Sequence, residues 1–166
     1  MLYRIYDIII GILFHAYYNI FARSHPGGGA RLSWYRLRVT SQPVFASSNQ
    51  SDLIWIHGVS AGEVKGAIKL TEAFRRLKSK YKIIISSSTS SGYTKAKTSS
   101  EIDTALIMPI DRYRLLSDLF LKLKPTALVI MENELWPQLF RVASEMNVPI
   151  FLVNTNFSEK SFKNLK

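Results

Sequence analysis

The sequence predicts an α/β fold: a mostly parallel sheet with helices on both faces. Three observations predict it. Short runs rich in isoleucine, leucine and valine alternate with stretches whose apolar residues recur every three or four positions. The runs are continuously apolar, as strands buried on both faces are. Each run ends in a small or polar turn from which a helical pattern starts, the junction of a βαβ unit.

The chain is organised around LIWIHGVSAGEVKGA, Leu53 to Ala67. Leu53–His57 reads as a buried strand, and Gly58 breaks it. Ser60, Ala61 and Gly62 make a small-residue turn, and Glu63 enters the first turn of a helix. That helix is predicted to reach about Lys80, with Ala67, Leu70, Phe74, Leu77 and Tyr81 as its buried stripe. Lys82–Ser87 is the second strand. Ser86–Gly92, SSSTSSG, is its exit turn, with a short helix after it. Thr104–Met108 is the third strand, ending at Pro109 and Asp111. Arg112–Lys124 is a helix with Leu115, Leu116, Leu119, Phe120 and Leu123 on one side, and Pro125 stops it. Thr126–Met131 is the fourth strand, Glu132–Pro137 its exit turn, and a helix runs from about Pro137 to Met146. Pro149–Val153 is the fifth strand.

The first fifty residues differ in character. Leu2–Phe21 is apolar and aromatic, interrupted by Arg4, Asp7, His15 and Asn19. Its longest clean run, Ile8–Phe14, is short of the roughly 20 residues that cross a bilayer. Arg23, Arg31, Arg36 and Arg38 follow, as positive charge follows a membrane segment. A signal anchor, an interfacial helix and a core helix all remain open. A cleaved signal peptide is disfavoured, because Asp7 breaks its apolar region. His25–Ala30 is a glycine-rich joint, Arg31–Val39 a basic and aromatic stretch, and Gln42–Asp52 a Ser/Asn-rich linker. The predicted division is residues 1–24 as membrane-anchor or interfacial helix, 25–51 as linker, and 52–166 as the compact domain.

Composition narrows the function. Hydrophobic residues make up 47% and charged residues 20%, which describes a globular chain. The absence of cysteine excludes disulfides and thiolate metal sites. A formal net charge of +10 points to an anionic partner: nucleic acid, a membrane surface or a phosphorylated substrate.

Candidate chemistry lies at the strand exits, because ligands of such sheets bind outside the carboxyl ends of the strands. Two acids stand there, Glu63 and Glu132, and would approach each other if their strands are near in the sheet. Paired carboxylates can divide a proton-accepting role from a charge-stabilising one. From pattern alone Glu63 reads more readily as a first-turn acid that complements the helix dipole. Glu132 and Glu134 are readable as helix-start acids before Pro137. The turns offer Ser60, Gly62, Ser88, Thr89 and Gly92 as substrate contacts through hydroxyls and backbone N–H groups, a setting that favours phosphate. Ser-rich turns are more often only turns. Dinucleotide and P-loop glycine motifs are absent. His57 reads as a satisfied strand-end histidine, and His15 and His25 are too scattered to make a metal site with it.

The motifs HGVSAGE (His57–Glu63), SSSTSSG (Ser86–Gly92), MPID (Met108–Asp111), MENELWP (Met131–Pro137) and NTNFSEKS (Asn154–Ser161) occur in that order. Together they resemble the N-terminal half of the 3-deoxy-D-manno-octulosonic acid (Kdo) transferases of lipopolysaccharide synthesis, over nearly the whole chain. The resemblance implies a GT-B glycosyltransferase: two Rossmann-like domains with the active site between them. It implies transfer of Kdo from CMP-Kdo to the lipid A precursor lipid IVA, with inversion and without a metal or other cofactor. Glu63 is then the proton acceptor and Glu132 the transition-state stabiliser. The implied partners are the lipid A precursor, CMP-Kdo, an anionic membrane surface and a C-terminal domain supplied in cis or in trans, not nucleic acid. The implied location is the cytoplasmic face of the inner membrane.

This chain stops before the CMP-sugar domain, so it is expected to be an incomplete, acceptor-binding half without activity alone. The Gly triplet within His25–Val39 departs from the family's basic run there, and Asn156 and Phe157 are smaller departures. The alternative reading is a non-catalytic, membrane-attached remnant or binding module. A nucleic-acid binder, suggested by charge alone, ranks third.

Overall fold

The structure is a computed structural model that describes residues 2–22, 28–40, 52–77 and 80–155. The linker expected from Gln42, the segment 23–27 and the end of the chain from Asn156 lie outside the described residues. Two helices come first: α1 (Leu2–Tyr17), closed by a π-helical turn (Tyr18–Ala22), and α2 (Gly28–Val39). The domain proper alternates β1 (Leu53–His57), α3 (Ala61–Arg76), β2 (Lys82–Ser87), α4 (Ser90–Lys97), β3 (Thr104–Ile107), α5 (Tyr113–Leu123), β4 (Ala127–Met131), α6 (Pro137–Glu145) and β5 (Ile150–Val153).

All four strand pairings are parallel, in the order β3-β2-β1-β4-β5. The fold is the Rossmann-like α/β sheet expected, covered on both faces. Successive side chains of a strand point to opposite faces, and here each face has its own core. Leu53 and Trp55 of β1 join Leu128 and Ile130 of β4 against Leu116, Phe120, Leu139 and Val142 of α5 and α6. Ile54 and Ile56 join Val129 and Met131 against Val64 and Ala67 of α3 and Ala96 of α4. Trp55 is fully buried, its ring edge-on to Phe120 at 5.1 Å. Complete burial of a side chain of this size contributes upwards of ~3 kcal/mol.

Strand order, which spacing along the chain does not encode, positions the site. The chain steps from β1 outward to β2 and β3, then returns to place β4 on the other side of β1. The reversal makes the gap between the carboxyl ends of β1 and β4 a topological switch point, where open α/β sheets bind ligands.

Three expectations are corrected. The stretch assigned to a linker is helical over Gly28–Val39 and is bonded to the domain: Ile110 N donates to the Arg38 carbonyl at 3.1 Å. Ala61 and Gly62 are the first residues of α3 rather than a turn. That helix ends at Arg76, so Leu77, 79% exposed, and Tyr81 leave the predicted stripe.

Candidate active site

Glu63 and Glu132 follow neighbouring strands and stand at the same rim. The β1–β4 register pairs His57 with Ile130, so its continuation brings Val59 level with Glu132. Val59 is one of the residues that hold Glu63. Its N–H donates to Glu63 Oε2 at 2.8 Å, and the N–H of Ser60 donates to Oε1 at 3.1 Å. Ser60 Oγ in turn accepts from the Glu63 N–H at 3.3 Å. Ser60 and Glu63 thus form a capping box, satisfying donors that the start of α3 would leave open. Glu63 is only 8% exposed, with its carboxylate fixed by two backbone donors. Each carboxylate oxygen keeps a further acceptor position.

Glu132 is held differently. It is exposed and lies in the left-handed region with φ of 63°. Asn154, at the end of β5, shares that conformation with φ of 62°. Asparagine tolerates it and glutamate seldom does, so Glu132 carries the strain here; Lys124, which caps α5, and Asn147 share the conformation away from the rim. Glu132 and Asn133 line an open depression with Asn154 and Thr155. The backbone is tied by Glu132 N donating to the Val153 carbonyl at 2.8 Å. Glu134 plays another part, since its Oε2 accepts from Trp136 Nε1 at 3.1 Å.

The remaining candidates divide. The hydroxyls of Ser60 and Thr89 are N-caps of α3 and α4. Thr89 Oγ1 accepts from Gly92 N at 3.2 Å and donates to the Val59 carbonyl at 3.0 Å. Ser87 Oγ donates to the same carbonyl at 2.8 Å. The serine-rich turn therefore stitches the second strand exit to the first and braces the loop that carries Glu63. Gly92 is buried where an added Cβ would meet Ser87 Oγ. Gly62 is exposed beside the cap. Ser88 Oγ is buried and has no partner among the described residues.

His57 is half satisfied. Its Nδ1 lies 2.9 Å from Ser86 Oγ and 3.2 Å from the Ser86 carbonyl. Nε2 is buried without a partner among the described residues, and the ring meets Trp136 edge-on at 5.3 Å. Burial pushes the imidazole down to about 4, with the nearby charge of Arg38 acting in the same direction. At neutral pH it is uncharged.

Sequence reasoning passed over a second network. Asp111, from the MPID motif, accepts from Gln138 N at 3.1 Å and Leu139 N at 2.9 Å, capping α6 from a distant loop. It also accepts from Tyr6 Oη at 2.8 Å, and burial raises its carboxyl above the usual range. Asp7 accepts from Tyr113 N at 2.8 Å at the start of α5 and lies 3.6 Å from Arg112. Two polar residues of an apolar helix thus dock α1 beside the rim. The signal in the sequence was Asp7 itself, a charge that an apolar segment keeps only with a partner. Phe14 stacks on Tyr35 at 5.2 Å, and Tyr18 at 3.6 Å, which joins α1 to α2. With this face docked, Ile5, Ile8, Ile9, Ile12, Leu13 and Tyr17 are exposed on the opposite one. No helix of the described residues is long and apolar enough to cross a membrane. Among the same residues no three His, Asp or Glu side chains gather to hold a metal ion.

Fold and rim together define a Rossmann-like α/β domain with two acids at its switch point. Comparison with known proteins gives that class a family. The profile of the family described as 3-Deoxy-D-manno-octulosonic-acid transferase (kdotransferase) matches residues 30–166, most of the chain. A probable mitochondrial 3-deoxy-D-manno-octulosonic acid transferase of Arabidopsis thaliana is 36% identical over 112 residues, covering 67% of this chain and 25% of the relative. The transferase of Rickettsia typhi is 32% identical over 120 residues, 70% of this chain and 25% of the relative. That of Chlamydia trachomatis serovar D is 23% identical over 167 residues, 96% and 37% respectively. The chain belongs to the Kdo transferase family and is its N-terminal domain. It spans about a quarter to a third of the length of these relatives.

Proposed function

We propose that this chain is the acceptor-binding half of an inverting Kdo transferase that moves Kdo from CMP-Kdo onto lipid IVA. The observation that carries the reading is the position of Glu63 and Glu132 on adjacent strand exits at the switch point. Glu63 takes the proton of the acceptor hydroxyl as that oxygen attacks the anomeric carbon. The bond to CMP breaks, and CMP leaves with its electron pair. Glu132 stabilises the positive charge that gathers on the sugar. The capping box favours a base already oriented before substrate arrives, which lowers the cost of reaching the reactive geometry. The C-terminal domain, in cis or in trans, supplies the CMP site, so the isolated chain is inactive.

The same reading sets the rim at an anionic membrane, on the cytoplasmic face of the inner membrane. The apolar outward face of α1 supports it, since a contiguous exposed patch of this kind marks an interaction surface. The charge of +10 acts in the same sense.

Two experiments test the proposal. The first joins the chain to a family C-terminal domain and follows Kdo transfer from CMP-Kdo to lipid IVA. Transfer should appear with wild type and vanish with Glu63→Ala; transfer that survives Glu63→Ala removes the base assignment. The second floats the chain on anionic vesicles. Replacing Ile9 and Ile12 by aspartate should release it without loss of helicity, and unchanged flotation overturns the membrane assignment.

A further inference from the structure

The first turn of α6 is capped from outside its own segment. Pro137 has no N–H to satisfy, and Phe140 N donates to the Trp136 carbonyl at 3.0 Å. Gln138 and Leu139 carry the remaining donors of that turn, and the N-cap residue Trp136 offers them no side-chain bond. Asp111 takes both, the first on Oδ2 at 3.1 Å and the second on Oδ1 at 2.9 Å. It is 5% exposed and belongs to the loop between β3 and α5. A third donor comes from α1, the Tyr6 hydroxyl, 2.8 Å from Oδ2. Burial raises the Asp111 carboxyl above its usual range, and these three donors act against that rise.

Helix α1 also reaches the same turn directly. Gln138 Nε2 donates to the Tyr3 carbonyl at 2.7 Å, one turn before Tyr6. The loop of Asp111 is tied to α2 as well. Ile110 N donates to the Arg38 carbonyl at 3.1 Å, and Arg38 Nε to the Met108 carbonyl at 2.9 Å. Both N-terminal helices therefore meet at residues 108–111 and, through them, at the start of α6. Immediately before that start comes the turn of Glu132. Residues 132–136 hang between two fixed ends. Glu132 N is bonded to the Val153 carbonyl at 2.8 Å, and Asp111 holds Gln138 and Leu139. Within the turn, Trp136 donates to Glu134, and its ring meets His57 edge-on. A turn held at its ends moves when an end is released, so the cap on α6 bears on where Glu132 stands.

We propose that Asp111 is a positioning residue for Glu132, and that Tyr6 of α1 completes its hold. Asp111 acts through the cap of α6, not on the substrate. Docking of α1 and capping of α6 share one carboxylate, so each favours the other. Helix α1 is then part of the frame of the rim, while Ile5, Ile9 and Ile12 are exposed on its other face. The inference rests on the reading of Glu132 as a catalytic group. The hold itself stands on the hydrogen bonds of Asp111.

The test deletes one hydroxyl. Tyr6→Phe keeps the ring and removes the bond to Asp111. Its control, Tyr113→Phe, removes an exposed hydroxyl bond of 2.7 Å to Glu145, at the other end of α6. Backbone amide signals are read by NMR in the isotope-labelled chain. Tyr6→Phe should move those of Gln138, Leu139 and residues 132–136, whereas Tyr113→Phe should leave residues 132–136 in place. In the enzyme completed by its C-terminal domain, Tyr6→Phe should lower kcat about tenfold with the acceptor KM within about twofold of wild type, as a small misplacement of a reacting group does. Tyr113→Phe should match wild type in both constants. The loss from Tyr6→Phe should vanish in an Asp111→Ala background, because the two side chains act as a unit. Additive losses, or signals that move only in α1 and beside Asp111, overturn the proposal. Should Asp111→Ala fail to fold, the two tyrosine variants decide alone. Signals of residues 132–136 that respond in a completed enzyme without Kdo transfer keep the hold and remove the catalytic reading. Transfer with an unchanged kcat in Tyr6→Phe does the reverse.

Discussion

The two acidic turns of the rim are built on opposite principles. The β1–α3 turn is over-determined. Glu63 accepts two backbone N–H groups, Ser60 returns the bond, and Ser87 and Thr89 brace the Val59 carbonyl from the next turn. The β4–α6 turn is open. Glu132 is exposed, strained at φ of 63° and beside a depression. The first turn would exist for the sake of the helix even if Glu63 did no chemistry, because a capping box is its own reason. The second gives no such account, since nothing in the fold requires a glutamate in a conformation that glycine adopts freely. Fixed geometry is thus poor evidence for a catalytic role, and unexplained strain is better evidence.

The comparison breaks most sharply under substitution at Glu63 with catalysis as the readout. Glu63→Gln keeps an oxygen for one of the two N–H donors but loses the base. In the completed enzyme, transfer should fall by ~10²–10⁴, while urea midpoints shift by less than ~1 kcal/mol. Equal losses of activity and stability would reduce Glu63 to a cap. Next comes the brace. An alanine Cβ at Gly92 would collide with Ser87 Oγ and stand 3.0 Å from Ser87 Cβ. Gly92→Ala should therefore cost ~1–3 kcal/mol, the range of overpacked sites. Gly62→Ala, whose nearest neighbour is Ser60 Oγ at 3.6 Å, should be neutral or slightly stabilising. Thermal unfolding of the two variants side by side checks the pair.

Much of this was legible in the sequence. The strands were placed to within a residue at either end, because buried parallel strands read as unbroken apolar runs. The rim acids were placed too, because strand-to-helix junctions are local. What stayed illegible was long-range. That β1 and β4 are neighbours is a fact of strand order, and Tyr6 bonding Asp111 spans more than a hundred residues. The expected linker failed for a similar reason. The propensity of its glycines says joint, but Trp34, Tyr35 and Arg38 find partners on the domain and on α1, and packing overrides propensity. Leu77 and Tyr81 fit the helical period by coincidence, since α3 has already ended.

Between these extremes lies the histidine at the end of β1. With its folded value pushed down to about 4, against 6.5 for the ordinary side chain, His57 favours the neutral form in the native state. The stability it contributes is present above pH 6.5 and is lost as pH falls through 6.5 toward 4. Between pH 7 and pH 5 the unfolding free energy should drop by about 2 kcal/mol on this account. His57→Gln should remove that part of the slope, which urea unfolding at the two pH values measures. The native-state titration of Asp111 works in the opposite sense. Its carboxyl is raised by burial, so its contribution is greatest at low pH and declines as pH rises through the folded value.

The smallest effect is the most discriminating. If the left-handed backbone at Glu132 is held for function, then Glu132→Gly relieves the strain and should raise stability by ~1 kcal/mol. Activity should be lost in the completed enzyme, because the carboxylate is gone. Glu132→Gln retains the strain and should leave stability unchanged while transfer still falls. The matched substitution in the other turn, Glu63→Gly, should lower stability, because it strips two backbone donors of their acceptor. Opposite signs at two glutamates of one rim are hard to obtain unless one is kept by the fold and the other by the chemistry. Chemical denaturation of the three variants against wild type measures it, and a glycine at Glu132 that destabilises would mean that the exposed acid, too, serves the fold.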